Sequence, residues 1–341
     1  MLIVIERHAI RASARYLWRC FSSNAGASTN DSREFTSQPS ENLTSIARRE
    51  NEKSLKIAFL GAPNAGKSTL INQLIKRSVC PVSCKVHTTQ TKARGIYCEG
   101  DVQLIFMDTP GMVSKAESKK FNLAKSFIED PQTSLRVADI IGIVQDADNI
   151  YTREKINTNL LQLLTEDIKS KIPIILIINK IDRLKKKEIL LDFVYTLTKS
   201  KKSPDFYDVF MVSALTGDGI DDLRAYLVDN AKPRAWEYKE YIYSDNTCED
   251  IIHKTVRAKL MDLLPNEVPY RLKVKLEHFD PAPDDSINAV VSVTCPNKRL
   301  ARLLTRGHDN RIGQVAVMTE EVLRHAFRTS VKLKLAVHCP D

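Results

Sequence analysis

Between an apolar run at 56–60 and an amphipathic stretch at 67–75 lies the octapeptide Gly61-Ala62-Pro63-Asn64-Ala65-Gly66-Lys67-Ser68. Few sequence patterns leave a chain so little choice of architecture. Glycines at both ends let backbone N–H groups turn inward on phosphate oxygens, and the N-terminus of the following helix adds its dipole. In such a loop Lys67 reaches the β- and γ-phosphates and the Ser68 hydroxyl ligates Mg²⁺. A strand–loop–helix unit needs partners to bury its faces, and the sequence provides them. Short apolar runs (56–60, 95–99, 102–107, 139–144, 174–178, 206–212) alternate with amphipathic stretches (67–75, 117–133, 152–165, 186–197, 220–229). This alternation predicts right-handed crossovers and a mostly parallel α/β sheet with ligands at the strand ends. The runs 95–99 and 102–107, joined by Gly100-Asp101, predict a hairpin and one antiparallel edge.

Three further segments specify the nucleotide. Asp108-Thr109-Pro110-Gly111 ends a predicted strand, so Asp108 can hold a magnesium-bound water and the Gly111 N–H can sense a γ-phosphate. Asn179-Lys180-Ile181-Asp182 ends another. A carboxylate there accepts hydrogen bonds from guanine N1–H and the exocyclic amine. Adenine would leave that buried charge unpaired, at a cost on the order of a few kcal/mol. Ser213-Ala214 ends the last strand, and its backbone suits guanine O6. Four motifs in this order, each at the C-terminal end of a strand, read as a GTP/GDP site with Mg²⁺. A switch segment should add a Thr that responds to Mg²⁺ and the γ-phosphate. Thr88 and Thr89 lie between the first helix and the hairpin, and Thr89 is the preferred candidate. The neighbouring His87 reads as a solvated loop residue, and Cys80 and Cys84, on either side of Pro81, as packing thiols.

These motifs carry a family resemblance. Gly61 through Thr69, His87-Thr-Thr-Gln90, Asp108 through Gly111 and Asn179 through Asp182 resemble the Era-like GTPases. The segment Glu249-Asp-Ile-Ile-His-Lys-Thr-Val-Arg-Ala-Lys-Leu260, with Glu267-Val-Pro-Tyr270, resembles the start of that family's C-terminal KH domain. The resemblance covers about 55–338. It implies an α/β P-loop GTPase domain with a mostly parallel sheet, followed by an α+β KH-like domain of type II. It also implies GTP hydrolysis, binding of small-subunit ribosomal RNA, and a part in assembling that subunit. Met112 follows Gly111 where Ras-type enzymes place a water-positioning Gln close by, so intrinsic hydrolysis is expected to be slow. Related GTPases with this Met use an Asn of the phosphate loop to hold K⁺, a role that falls to Asn64 here. The other reading of Asn64 is a structural loop residue.

The family's KH loop reads G-x-x-G and clamps nucleotide backbone. Aligning Leu303-Leu304 before it and Phe327 after it puts Arg306-Gly307-His308-Asp309 on the loop, with both outer glycines replaced and Asp309 facing phosphate. A slip of one residue pairs Gly307 with Asn310 instead, and Asn tolerates a left-handed backbone. Around this loop Lys298, Arg299, Arg302, Arg306, Gly307 and Arg311 form the candidate RNA-binding set. Helical spacing brings Lys298 or Arg299 onto one face with Arg302 and Arg306.

Charge and the chain ends complete the reading. The net charge is +9, and residues 251–341 hold 15 Lys/Arg against 10 Asp/Glu, which points the basic excess at the tail. RNA is the expected partner and DNA is not. At 43% hydrophobic and 27% charged the chain can bury proper cores. Its 7 cysteines include no C-x-x-C pair, against both a disulfide framework and a structural zinc. No apolar run approaches the roughly 18 residues that cross a bilayer, so a soluble protein of a reducing compartment is expected. Arg7, Arg11, Arg15 and Arg19 recur at spacing four in an acid-poor leader followed by a Ser-, Thr- and Asn-rich stretch. That is the pattern of a mitochondrial transit peptide, with Arg19-Cys20-Phe21-Ser22 resembling a cleavage site after Phe21. The expected organisation is a transit peptide at 1–21, a disordered linker at 22–54, the GTPase domain at 55–230, a connector at 231–248 and the KH-like domain at 249–341. With the resemblance, this implies a matrix protein that binds the small mitochondrial rRNA in the pre-ribosomal small subunit. In the alternative, the GTPase switch keeps a decayed tail that docks a protein or a membrane, including a peripheral contact with the inner membrane.

Overall fold

The computed structural model describes residues 51–83, 93–108, 134–200, 203–265, 268–282, 284, 286–305 and 311–339. The first unit is a mostly parallel sheet built outward from its most apolar strand. β1 (Lys53–Gly61) is flanked in parallel by β3 (Val102–Asp108) and β4 (Ile140–Asp146). β5 (Ile174–Asn179) and β6 (Asp208–Met211) extend one side, and β2 (Ala93–Glu99) pairs antiparallel with β3 on the other. The order is β2-β3-β1-β4-β5-β6. Continuous burial along β1, β3, β4 and β5 is what helices on both faces demand. One face is covered by α1 (Lys67–Ile75) and α5 (Ile220–Asp229), and the other by α2 (Thr158–Leu163) and α4 (Ile189–Lys199).

Two expectations need correction. The single helix expected at 152–165 is shorter and is followed by a second, α3 (Glu166–Lys171). Two caps divide them: Asn157 Oδ1 accepts from the Asn159 N–H, and Thr165 Oγ1 from the Ile168 N–H. The expected linker also ends too late, because Lys53 and Ser54 already belong to β1, with Ser54 wholly buried. The pattern of 22–54 could not show this, since the partner is β7 (Lys232–Pro233), which pairs antiparallel with Lys53 and Ser54.

The connector runs closely along the sheet. Asp139 receives both Arg234 guanidinium nitrogens at 2.9 Å, with the Lys56 N–H at 3.0 Å, and these contacts hold its carboxyl below the usual carboxylate range against the effect of burial. The fully buried Gln103 accepts from the Glu237 and Tyr238 N–H groups and donates to the Tyr238 carbonyl. Gly95 bridges to Ser244, which adds the connector's end to edge strand β2.

The second unit is α6 (Cys248–Leu263), β8 (Lys273–Pro281), β9 (Ile287–Thr294), α7 (Lys298–Thr305), α8 (Arg311–Phe327) and β10 (Val331–His338). Its sheet runs β10-β9-β8, with β9 and β10 parallel and β8 antiparallel. This helix–strand–strand–helix–helix–strand order is the α+β KH-like arrangement of type II. The helical spacing at 298–306 corresponds to α7, which Asn297 caps, its Oδ1 accepting from the Leu300 N–H at 2.8 Å. The two units share one apolar core. At the seam Arg77 donates to the Ala326 carbonyl and stacks on Tyr243, and the Ser78 hydroxyl meets His325. Among the described residues no helix is long and apolar enough to cross a membrane.

Candidate nucleotide site

The loop between β1 and α1 is shaped from both ends. A Cβ on Gly61 would lie 2.5 Å from the Val144 carbonyl oxygen of the adjacent strand, so only glycine lets β4 pass this closely. Gly66 has φ 93°, and a Cβ there would meet Asn179 Nδ2 at 2.2 Å. Asn64 also adopts a left-handed backbone, φ 60°, which asparagine tolerates better than most residues. Lys67 folds back under the loop and its Nζ donates to the Gly61 and Ala62 carbonyls at 3.1 and 3.0 Å. Turning those carbonyls onto an ammonium leaves the loop's N–H groups to face an anion. Lys67 is buried, and burial pulls its pKa from 10.5 down to about 8, partly opposed by the nearby Asp108 carboxylate. An anion in the loop would restore the charge that burial disfavours.

Beside it Ser68 Oγ donates to Asp108 Oδ2 at 2.8 Å. A hydroxyl from the first turn of α1 and a carboxylate from the end of β3 thus converge beside the loop. This hard oxygen pair suits a magnesium ion that keeps most of its water and takes the rest of its shell from phosphate. Thr69 continues α1 behind them.

The base-binding side rests on Asn179. Its buried amide donates to the Ala65 carbonyl at 2.9 Å and its Oδ1 accepts from the Ala214 N–H at 2.9 Å. One side chain therefore ties the phosphate loop to the Ser213–Ala214 loop, a latching role that the motif alone did not reveal. Asp182 Oδ1 accepts from Ser213 Oγ at 2.6 Å, which fixes the carboxylate's direction. Asp182 is exposed, in contrast to the buried charge expected from sequence. An exposed carboxylate is desolvated only if a ligand covers it. Lys180 stands at φ 67° with its Nζ on Asp146 Oδ2 at 2.6 Å, and Ile181 is buried.

The sequence reading missed two supporting residues. Asp146 ends β4 as the other motif residues end their strands, and that position was its signal. Arg224 of α5 is buried and caps α1, with Nε on the Leu74 carbonyl and Nη2 on the Gln73 carbonyl. A cation at the C-terminus of the phosphate-bearing helix is electrostatically favourable. No sequence signal marks it. Cys80 is buried and its thiol is pushed up by burial, as a packing role requires. Cys84, His87, Thr88, Thr89, Thr109, Pro110, Gly111 and Met112 lie outside the described residues, as do Arg306, Gly307 and the leader. Of the remaining basic set, Lys298, Arg299 and Arg302 are exposed on α7 at spacings that share a face, and Arg311 opens α8.

Comparison with known proteins agrees with this geometry. Residues 56–180 match the family described as 50S ribosome-binding GTPase. The chain is 31% identical to the mitochondrial GTPase Era of Danio rerio in an alignment 340 positions long that covers 84% of this chain and 76% of the relative. It superposes on Era solved with MgGDPNP and nucleotides 1506–1542 of 16S ribosomal RNA, with TM-score 0.70, 26% identity, and coverage of 85% and 94% of the two chains. An Aquifex aeolicus Era variant bound to GDP·AlF4⁻ gives TM-score 0.71 at 26% identity, covering 84% and 94%. Phosphate loop, carboxylate–hydroxyl pair, oriented base-reading carboxylate and appended KH-like unit occur together, and the chain belongs to the Era family of GTP-hydrolysing enzymes.

Proposed function

We propose that this protein is a GTP-driven RNA-binding factor that acts on the small ribosomal subunit inside mitochondria. The observation that carries the reading is the joining of a guanine-nucleotide site to a KH-like unit whose α7 presents Lys298, Arg299 and Arg302 to solvent. The solved Era complex holds a 16S rRNA segment, and the Danio rerio relative is mitochondrial, which supports both the polyanion and the compartment. The Arg-rich leader supports matrix import, with cleavage after Phe21; the GTPase unit is taken from the start of β1 and the KH-like unit from the start of α6.

The chemistry follows from residue placement. Lys67 and the loop N–H groups position the phosphates, and Asp182 with Ser213 and Ala214 selects guanine. Ser68 and Asp108 would hold Mg²⁺, which when bound offsets phosphate charge, and Thr89 would complete that shell. Asn64 is the residue proposed to hold K⁺. The Gly111 N–H senses the γ-phosphate, and Met112 in place of a water-orienting amide keeps turnover slow, so the protein's output is a conformational state.

RNA filter binding by the full chain across a salt series tests the reading. The parent should show a steep slope, since each phosphate contact contributes about one unit of log K against log salt. Arg302→Glu should weaken binding and flatten the slope, whereas replacing Arg306 and Asp309 by glycine should preserve or strengthen it. If Arg302→Glu leaves affinity and slope unchanged, RNA is not held by this face. The tail is then a protein- or membrane-docking adaptor.

A further inference from the structure

The described residues include five reduced cysteines, Cys80, Cys98, Cys248, Cys295 and Cys339. Two of these stand side by side although α7 and α8 both lie between them in sequence. β9 and β10 pair in parallel, and their register runs to Thr294 opposite His338. The Cys295 N–H donates to the His338 carbonyl at 2.8 Å, which carries the ladder one residue further. Cys295 and Cys339 are therefore the next neighbours in register. Side chains alternate across a sheet, and Val293 and Val337, two residues earlier on each strand, belong to the helix-covered core. Both cysteines accordingly point to that same inner face. Cys295 is fully buried, and its thiol is pushed above its ordinary value by burial, with Cys339 adding to the effect. Adjacent strands lie about 4.8 Å apart, inside the roughly 4.4–6.8 Å Cα separation that a disulfide spans.

We propose that Cys295 and Cys339 are a redox-modification site, a thiol pair that forms a reversible disulfide and pins the end of β10 to β9. The unequal burial assigns the roles. Cys339 is half-buried and can meet a small disulfide such as oxidised glutathione, whereas Cys295 is shielded. The Cys339 thiolate attacks one sulfur of that disulfide, whose S–S bond breaks to release one glutathione thiolate. Cys295, losing its proton to solvent, then attacks the Cys339 sulfur of the mixed disulfide and expels the second glutathione. Two protein thiols are oxidised and one small disulfide is reduced to two thiols, so the electrons balance. The new bond closes a loop containing α7 and α8, the helices that carry the basic face, and does not depend on what that face binds.

Peptide mapping of the full chain decides the matter. The protein is equilibrated with oxidised glutathione or with dithiothreitol, remaining thiols are alkylated in denaturant, and the digests are compared by mass. The oxidised sample should contain a Cys295–Cys339 cross-linked peptide, lighter by two hydrogens than its two reduced parts. Dithiothreitol should remove it, Cys98→Ser should leave it, and Cys339→Ser should abolish it. Cys339→Ser is the informative variant because Cys295→Ser alters a fully buried position. The proposal is overturned by glutathione retained on Cys339 with no cross-link, or by a cross-link that joins a different pair.

Discussion

Titrating nucleotide affinity through the alkaline range reads the burial of Lys67 directly. In the nucleotide-free protein its ammonium loses its proton at about 8, because burial penalises the charge more than Asp108 favours it. Phosphate oxygens in the loop reverse that balance, so the bound form keeps its proton to a much higher pH. Near pH 7 both forms are protonated and affinity is unaffected. At about pH 9 roughly one free molecule in ten is charged, so binding must first take up a proton and Kd rises about tenfold. Calorimetry at that pH, in buffers of different ionisation enthalpy, should report uptake of close to one proton, against almost none near pH 7. Guanine's own ionisation is common to all variants, so the slope that Lys67→Arg removes isolates the lysine, because a guanidinium stays charged throughout. A parent Kd that is flat across this range, or proton release on binding, would refute the reasoning. The same shift has a stability counterpart. The native state binds fewer protons than the unfolded chain between about 8 and 10.5, so nucleotide-free stability rises with pH across that window by about 3 kcal/mol. Lys67→Met should accordingly remove that rise with pH while abolishing tight GTP binding.

Asp182→Asn should weaken GTP and shift preference towards xanthosine triphosphate, because the amide offers a donor where xanthine carries a carbonyl; a competition assay in which the variant still favours GTP as strongly as the parent rejects that pocket. Gly66→Ala forces a side chain into φ 93° and onto the Asn179 amide, so fluorescent-GDP binding should fall at least about tenfold, with about 1–3 kcal/mol lost in thermal unfolding. Hydrolysis should run faster in potassium than in sodium chloride, and Asn64→Ala should remove the difference; equal rates in the parent would leave Asn64 as a structural residue of the left-handed loop position.

What could be read from the residues alone was the chemistry confined to short segments. Gly61 to Ser68 states its own geometry, since two glycines, a lysine and a hydroxyl act within one turn and the helix that follows. The strand ends Asp108 and Asn179, and Ser213 just beyond the last strand, were legible for a related reason. Apolar runs mark parallel strands, and in such a sheet ligands collect at their C-terminal ends. The basic face of α7 was visible as a charge pattern at helical spacing, although the helix itself had to be inferred.

The remainder depended on partners that no local pattern names. Asn179 latches two loops because folding brings Ala65 and Ala214 to either side of it. Arg224 resembles any surface arginine of an amphipathic helix until the carbonyl end of α1 arrives beneath it. Lys53 and Ser54 looked like linker, and only their pairing with Lys232 and Pro233 makes them strand. Asp182 was expected to be a buried charge, yet it lies exposed beside Ser213. Cys295 and Cys339 are remote in sequence and adjacent in register. Sequence periodicity reports which face of an element is apolar. It carries no record of which distant element will cover that face, and hydrogen bonds, caps, burial and strand register are properties of that pairing.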